Sequence, residues 1–321
     1  MRAFLVRRRR QILVTLALLS VWGLFLLASP TAFSKAPIYR SFMSTIPVTL
    51  VLTLGMTLLV VLGEMDLSFP SVSAAAAYLF AFLYAKAGWP PPAAFGAALL
   101  SGAAMGLVNG FLVVRVGVPS IIATIGTQFF WRGLILLLAD GLAISLSSIR
   151  GDWLQTLFVG RLCLWEIPAQ ALWGLAVALL LALLLNRHPF GDALLFIGDN
   201  GKTAEMMGLP VARIRIGAFV IMGLLSAFAG LLATLELNNW WPTQGEGYML
   251  LVFAAVFVGG TSAYGGEGTI YGSFVGAVLI GIIEAGLVSS GFVGFWTRLV
   301  HGLVIILSVS AYALMAKRRG G

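Results

Sequence analysis

Apolar runs long enough to cross a bilayer alternate with short polar breaks along nearly the whole chain, and one break differs from the rest. A spanning helix needs about 20 apolar residues, with a range of roughly 17–25. Ten runs meet or approach that length: 11–28, 43–62, 68–85, 92–114, 119–139, 168–185, 216–235, 247–260, 269–289 and 296–316. The third and eighth are short or interrupted by glycine. They are expected to be broken or half-crossing elements, because irregular backbone at membrane depth is tolerated only inside protein. The exceptional break is residues 186–215, NRHPFGDALLFIGDNGKTAEMMGLPVARIR, which holds Arg187, Lys202, Arg213 and Arg215.

Charge gives the runs a direction. With ten spans, both termini lie on one side. Placing them in the cytoplasm puts thirteen basic residues in inner segments: Arg2, Arg7, Arg8, Arg9, Arg10, Arg115, Arg187, Lys202, Arg213, Arg215, Lys317, Arg318 and Arg319. The outer segments hold five, Lys35, Arg40, Lys86, Arg150 and Arg161, while Arg132 and Arg298 fall within spans. That asymmetry follows the positive-inside rule, and it places 186–215 in the cytoplasm. The N-terminus resembles a signal peptide, but its apolar run from Ile12 to Ala28 exceeds an h-region of about 7–15 residues. It is read as an uncleaved first span.

Composition agrees. The 321 residues are 60% hydrophobic and 10% charged, against about 25% charged in a soluble domain. The fold class expected is an all-α integral membrane protein, one transmembrane domain over 1–321. The net charge of +8 does not indicate nucleic acid, since the basic residues cap apolar runs instead of lining one face. The single Cys163 excludes an intramolecular disulfide or a multi-cysteine metal site, and with only His188 and His301 no HExxH is present. No metal, cofactor or catalytic cluster is expected in this chain.

Within the basic loop, GDNGKT at 198–203 looks like the end of a phosphate-binding loop. The motif requires a glycine five residues before Gly201, where Phe196 stands, so nucleotide binding by this chain is rejected. A short helix fits better: Asp199 or Asn200 caps it, Lys202, Thr203, Ala204, Glu205, Met206 and Met207 form it, Gly208 suits a left-handed C-terminal position, and Pro210 stops it. Its methionines suit an adaptable docking surface; a helix lying on the bilayer surface would show the same pattern.

Polar residues inside spans carry a functional prior because burying them in lipid is costly. Asn109 lies on the fourth span, and Thr124, Thr127, Gln128 and Arg132 share one face of the fifth by i, i+3/i+4 spacing. That face is a candidate substrate pathway; the alternative is interhelical hydrogen bonding with Arg132 snorkelling outward. Glu284 and Arg298 are candidates for an outer pair. Asp66 is read as a helix cap. Gly102, Gly106 and Gly110 mark a close-packing face, together with small residues on the seventh and ninth spans. The tryptophans of 235–247 fit an interface belt or an external contact. Segments 63–75 and 259–277 echo each other, suggesting two pseudo-repeated halves around spans 2–5 and 7–10, although small-residue motifs recur in any membrane bundle.

Four segments together, GEMDLSFPSV, VPSIIATIGTQFFWRGLILLLADG, IGDNGKTAEMMGLPVARIRIGAFVIMGLLSAFAG and GGTSAYGGEGTIYGSFVGAVLIG, resemble the bacterial ATP-binding-cassette importer permeases of the ribose/xylose/arabinose type. The resemblance covers about residues 40–315 in the same order. The family pattern Gly-Gly-Ile-Asp-Leu-Ser has Glu64 and Met65 in place of its second Gly and Ile here; Gly-x-Asn-x-x-Ala-Ala is matched by Gly198, Asn200, Thr203 and Ala204, with Thr at the first Ala. The resemblance implies a permease of the bacterial inner membrane working with a second permease chain, a periplasmic solute-binding protein and a cytoplasmic ATPase that carries ATP and Mg. It implies docking at residues 199–208, including Gly201, and transport of a monosaccharide or related polar solute. The rivals are an ion-coupled secondary transporter, which would need an intramembrane acid such as Glu284, and a membrane-embedded enzyme, for which no His/Asp/Cys cluster exists.

Overall fold

The computed structural model describes residues 9–162, 166–292 and 294–317. Cys163, and Arg2, Arg7, Arg8, Arg318 and Arg319 of the charge count, lie outside them. Every predicted run is a helix or part of one. In chain order these are α1 (Arg9–Ala28), the single turn α2 (Pro30–Phe33), α3 (Ala36–Val61), α4 (Phe69–Ala85), α5 (Pro91–Phe111) with a π-helical end (Leu112–Val116), and α6 (Ser120–Leu138). A partly irregular segment follows, with α7 (Trp153–Val159) and a two-residue hairpin of β2 (Arg161–Leu162) on β3 (Ile167–Pro168). Next come α8 (Ala169–Arg187), α9 (Pro189–Met206), α10 (Val211–Leu237), α11 (Tyr248–Val258), α12 (Ile270–Ser289) and α13 (Gly294–Lys317). Seven helices among the described residues are long and apolar enough to cross a membrane, and three more, Phe69–Ala85, Tyr248–Val258 and Gly294–Leu307, are apolar but shorter.

Helix α10 begins five residues before the predicted start at 216, because the basic turn with Arg213 and Arg215 is helical too. The apolar run alone understated it. α3 and α10 are buried almost all round, as expected of helices apolar on every face.

Glycine brings the central helices together. A Cβ at Gly102 would lie 2.4 Å from Ala227 Cβ and 2.5 Å from Gly223 O; at Gly106 it would meet Phe219 O at 2.3 Å; at Gly223 it would meet Gly102 O at 2.2 Å. The small-residue face of α5 therefore meets that of α10, backbone on backbone. Gly96 has nothing within 4 Å and is not part of that face. α11 and α12 close in the same way, with Gly276 against Ala255 O and Gly272 against Gly259 O.

Of the two short runs, the third is an unbroken helix of 17 residues and the eighth is much shorter. α4 is preceded by non-helical residues 62–68. α11 spans 11 residues, about 16 Å at 1.5 Å per residue, roughly half of a ~30 Å hydrocarbon core. It is preceded by a dipping segment, 238–247, which starts with β4 (Asn239–Trp240) paired to β1 (Ile144–Ser145). Trp240 there is fully buried and its Nε1 donates to Ala74 O at 2.9 Å, while Trp241 is half-buried. The segments that echo in sequence lie side by side at one end of the bundle, where Gly266 N–H donates to Val61 O. The non-helical segments 62–68, before α4, and 238–247, before α11, both reach the first turns of α4: a Cβ at Gly245 would lie 2.7 Å from Pro70 O.

Gly106→Ala is expected to destabilise the fold by about 1–3 kcal/mol, the cost of overpacking a rigid contact. Gly96→Ala, with open space at its Cβ, should be neutral or slightly stabilising. Thermal unfolding of the two variants in detergent compares them; equal midpoints would refute the packing assignment.

Candidate functional site

Polar side chains of α5 and α6 gather around the connection from α3 to α4. Gly63 turns the chain at φ +83°. Asp66 follows, 1% exposed. Its Oδ1 accepts from Ser68 N–H at 2.7 Å and Ser68 Oγ at 2.6 Å. Asp66 thus caps one step ahead of α4, turning the chain into Ser68 without bonding the first-turn N–H groups. Asn109 Nδ2 donates to Ser68 Oγ at 2.7 Å and approaches Asp66 Oδ2 at 3.4 Å, while Thr127 Oγ1 donates to Asn109 Oδ1 at 2.7 Å. Thr124 Oγ1 accepts Leu67 N–H at 3.0 Å, and Ser120 Oγ accepts Met65 N–H at 3.3 Å. Burial pushes the Asp66 carboxyl up, against the opposing pull of Ser68 and Asn109.

The structure therefore brings Asn109, Thr124 and Thr127 together, all buried, and commits their hydrogen bonds to holding 65–68. Gln128, next on the face, is half-buried. Arg132 turns inward, not outward: its guanidinium donates to Gln244 O at 3.0 Å, Pro70 O at 3.4 Å and Pro242 O. It ties the dipping segment to the first turn of α4. Glu284 and Arg298 are both exposed, and among the described residues no ion pair joins them.

The basic loop is more helical than its sequence suggested. His188 accepts from Phe190 N–H to start α9, which runs on until Asn200 breaks it at φ −153° and ψ 96°. Asn200, not Asp199, caps the second part, its Oδ1 accepting Thr203 N–H at 3.0 Å. At the other end Gly208 is left-handed at φ +83°. Gly208 N–H bonds Glu205 O and Leu209 N–H bonds Ala204 O, the paired closure expected of a Schellman end. Between these caps Ala204 is buried, whereas Lys202, Thr203 and Glu205 are exposed and Met206 and Met207 are 80% and 60% exposed. Gly201 is half-buried.

The base of this helix is fixed to the bundle. A Cβ at Gly198 would lie 1.9 Å from Val61 O and 2.7 Å from Gly266 N, so only glycine fits. Arg215 pairs with Glu64 at 3.5 Å. Glu64 is one of the two departures from the family pattern, and it joins the α3–α4 connection to the start of α10. Sequence reasoning did not find this pair, because nothing in the spacing links residues so far apart. Gln244, fully buried and bonded to Thr234 and Gly230 O, was also missed, hidden in a stretch that reads as an exterior loop.

Asn109→Ala tests the network. Removing the donor to Ser68 Oγ and Asp66 should cost about 1–3 kcal/mol, whereas Gln128→Ala, whose side chain is half-buried, should cost less. Thermal melts of the two variants check this; equal losses would show that Asn109 does not hold the 65–68 connection.

A family model described as branched-chain amino acid transport system / permease component matches residues 38–309. The ribose import permease protein of Bacillus subtilis (strain 168) is 34% identical over 79% of this chain and 78% of its own length. The autoinducer 2 import system permease protein of Photorhabdus luminescens is 30% identical over 94% of this chain and 89% of its own. The ribose import permease protein of Escherichia coli (strain K12) is 30% identical over 92% and 91%. No solved structure matches.

Proposed function

The chain belongs to the branched-chain amino acid transport system / permease component family, a multi-pass family of the bacterial inner membrane, and we propose from that premise that it is the permease subunit of an ATP-binding-cassette importer. Its cargo is a monosaccharide or a related small polar solute, in keeping with relatives named for ribose and autoinducer 2. The chain crosses the membrane ten times, through α1, α3, α4, α5, α6, α8, α10, α11, α12 and α13, with both termini cytoplasmic. A second permease chain, identical or a paralogue, completes the path, and a periplasmic solute-binding protein delivers the cargo. ATP and Mg bind to a separate cytoplasmic ATPase, and this chain carries no cofactor.

The observation that carries this reading is the doubly capped helix at 200–208. It presents Lys202, Glu205, Met206 and Met207 outward from a base that cannot slide. Met side chains fit an adaptable docking surface. When the ATPases close on ATP, force on this helix passes at Gly198 to the end of α3, and at Arg215 to Glu64. From there Asp66, Ser68 and Asn109 carry it to α4, α5 and α6. Asn109, Thr124 and Thr127 serve this relay more than they serve the solute.

Reversing charge with Lys202→Glu and Glu205→Lys, and adding Met206→Asp, is expected to cut ATP hydrolysis stimulated by the binding protein by at least about tenfold in the reconstituted complex, the loss typical of interface anchors. Full stimulation in the triple variant would sink the docking assignment.

A further inference from the structure

The described polar groups at the opposite end of α3 take no part in the relay. Thr49, Thr53 and Thr57 recur at intervals of four and share one face of α3. Their hydroxyls face α12, where Ser273, Ala277, Gly281 and Glu284 line the facing side. A small cavity of about 10 Å³, room for about one water or one hydroxyl group, opens here, lined by Thr49, Thr53, Ala255, Gly281 and Glu284 among others. Thr49 is half-buried and Glu284 exposed. Deeper along the same row, Thr57 Oγ1 lies 2.7 Å from Ser273 Oγ, and Thr261 Oγ1 lies 3.4 Å from Ser273 Oγ. Thr57 and Ser273 are fully buried, so the row is open at Glu284 and shut towards the 259–269 loop.

Hydrogen bonding fixes what this cavity offers. Thr49 Oγ1 donates to Ile46 O at 3.0 Å, and Thr53 Oγ1 donates to Thr49 O at 2.7 Å. Each hydroxyl hydrogen is used within α3, which leaves the oxygen lone pairs as acceptors. The Glu284 carboxylate accepts only, when ionised. The lining thus presents acceptors and one negative charge. A neutral solute rich in O–H donors satisfies it, and an anion is repelled. The remaining wall is apolar or small (Leu251, Ala255, Ala277, Ile280 and Gly281), so these oxygens are its polar contacts. A carboxylate exposed on a spanning helix is costly against lipid, and water or solute is its natural neighbour.

We infer that the cavity headed by Glu284, Thr49 and Thr53 is a solute-contacting site of the translocation path, selective for neutral polyhydroxylated solutes over anions. The inference rests on the permease reading, but its test uses no ATP and no docking partner. With Cys163 replaced by Ser, Thr49→Cys is placed in the full chain in membrane vesicles and treated with a cationic and an anionic water-soluble methanethiosulfonate. Leu137→Cys, on an exposed apolar face, is the lipid-facing control. The expected result is that Thr49→Cys reacts at least about tenfold faster than the control. After normalisation to a free thiol, the cationic reagent should also be favoured by about tenfold, the size of effect a nearby unit charge produces in a wet site. Adding Glu284→Gln should remove that preference while leaving Thr49→Cys reactive, which shows that the double variant is folded. A Thr49→Cys rate no greater than that of Leu137→Cys, or a charge preference unchanged by Glu284→Gln, overturns the proposal. Either failure leaves ATPase docking untouched, and a failed docking test with intact labelling would count against the permease reading alone.

Discussion

Backbone that leaves the helix inside a packed bundle must find its hydrogen bonds within the protein, and this constraint organises the described helices. Each orphaned amide or carbonyl buried away from water costs about 1–3 kcal/mol. The chain leaves the helix at 62–68 and again at 238–247, and at both places side chains from other helices supply the missing partners. Ser120 and Thr124 accept Met65 and Leu67 N–H, and Asp66 accepts that of Ser68. Arg132 caps the carbonyls of Pro242 and Gln244. Gln244 fastens its own segment to Thr234 and Gly230. Most intramembrane polar residues of α5, α6 and α10 are consumed in this way.

That use of polar groups is possible only because the helices are close. A side chain as short as Ser or Thr reaches a neighbouring backbone only if no bulk separates the two. The glycines of α5 and α10 bring the axes together, and Gly230 lets α10 lie on Ser73 of α4. Small residues and polar residues are therefore two halves of one device: the first sets the distance that the second bridges. The hydroxyls of Thr49 and Thr53 differ, since their hydrogens are returned to their own helix and their oxygens face a cavity.

The helices were legible in the sequence from apolar length alone, although α3 and α10 begin at Ala36 and Val211, ahead of the apolar runs that mark them. The short helix at 200–208 was legible for a local reason, since Asn200, Gly208 and Pro210 act on backbone within a few positions. The pairing of polar residues was not. Thr124, Thr127 and Arg132 share a face, but whether that face meets a solute or another backbone depends on which helix lies opposite. Arg132 reads as a snorkelling cation until Gln244 and Pro242 are seen to descend beside it.

α4 is where these constraints converge. Its first residues are held by the Asp66 and Asn109 network, Pro70 O takes Arg132, and Ala74 O takes Trp240. The first turns of one short helix therefore carry the attachments of both non-helical segments. Packed interiors shift between discrete arrangements and do not deform continuously. The 62–68 connection is fastened at Met65, Leu67 and Ser68 N–H, so a displacement at the end of α3 is carried into α4, and through Pro70 O and Ala74 O towards segment 238–247, which leads into α11. α11 forms one wall of the cavity beside Glu284, so the contacts that satisfy buried backbone run from the end of α3 to that cavity.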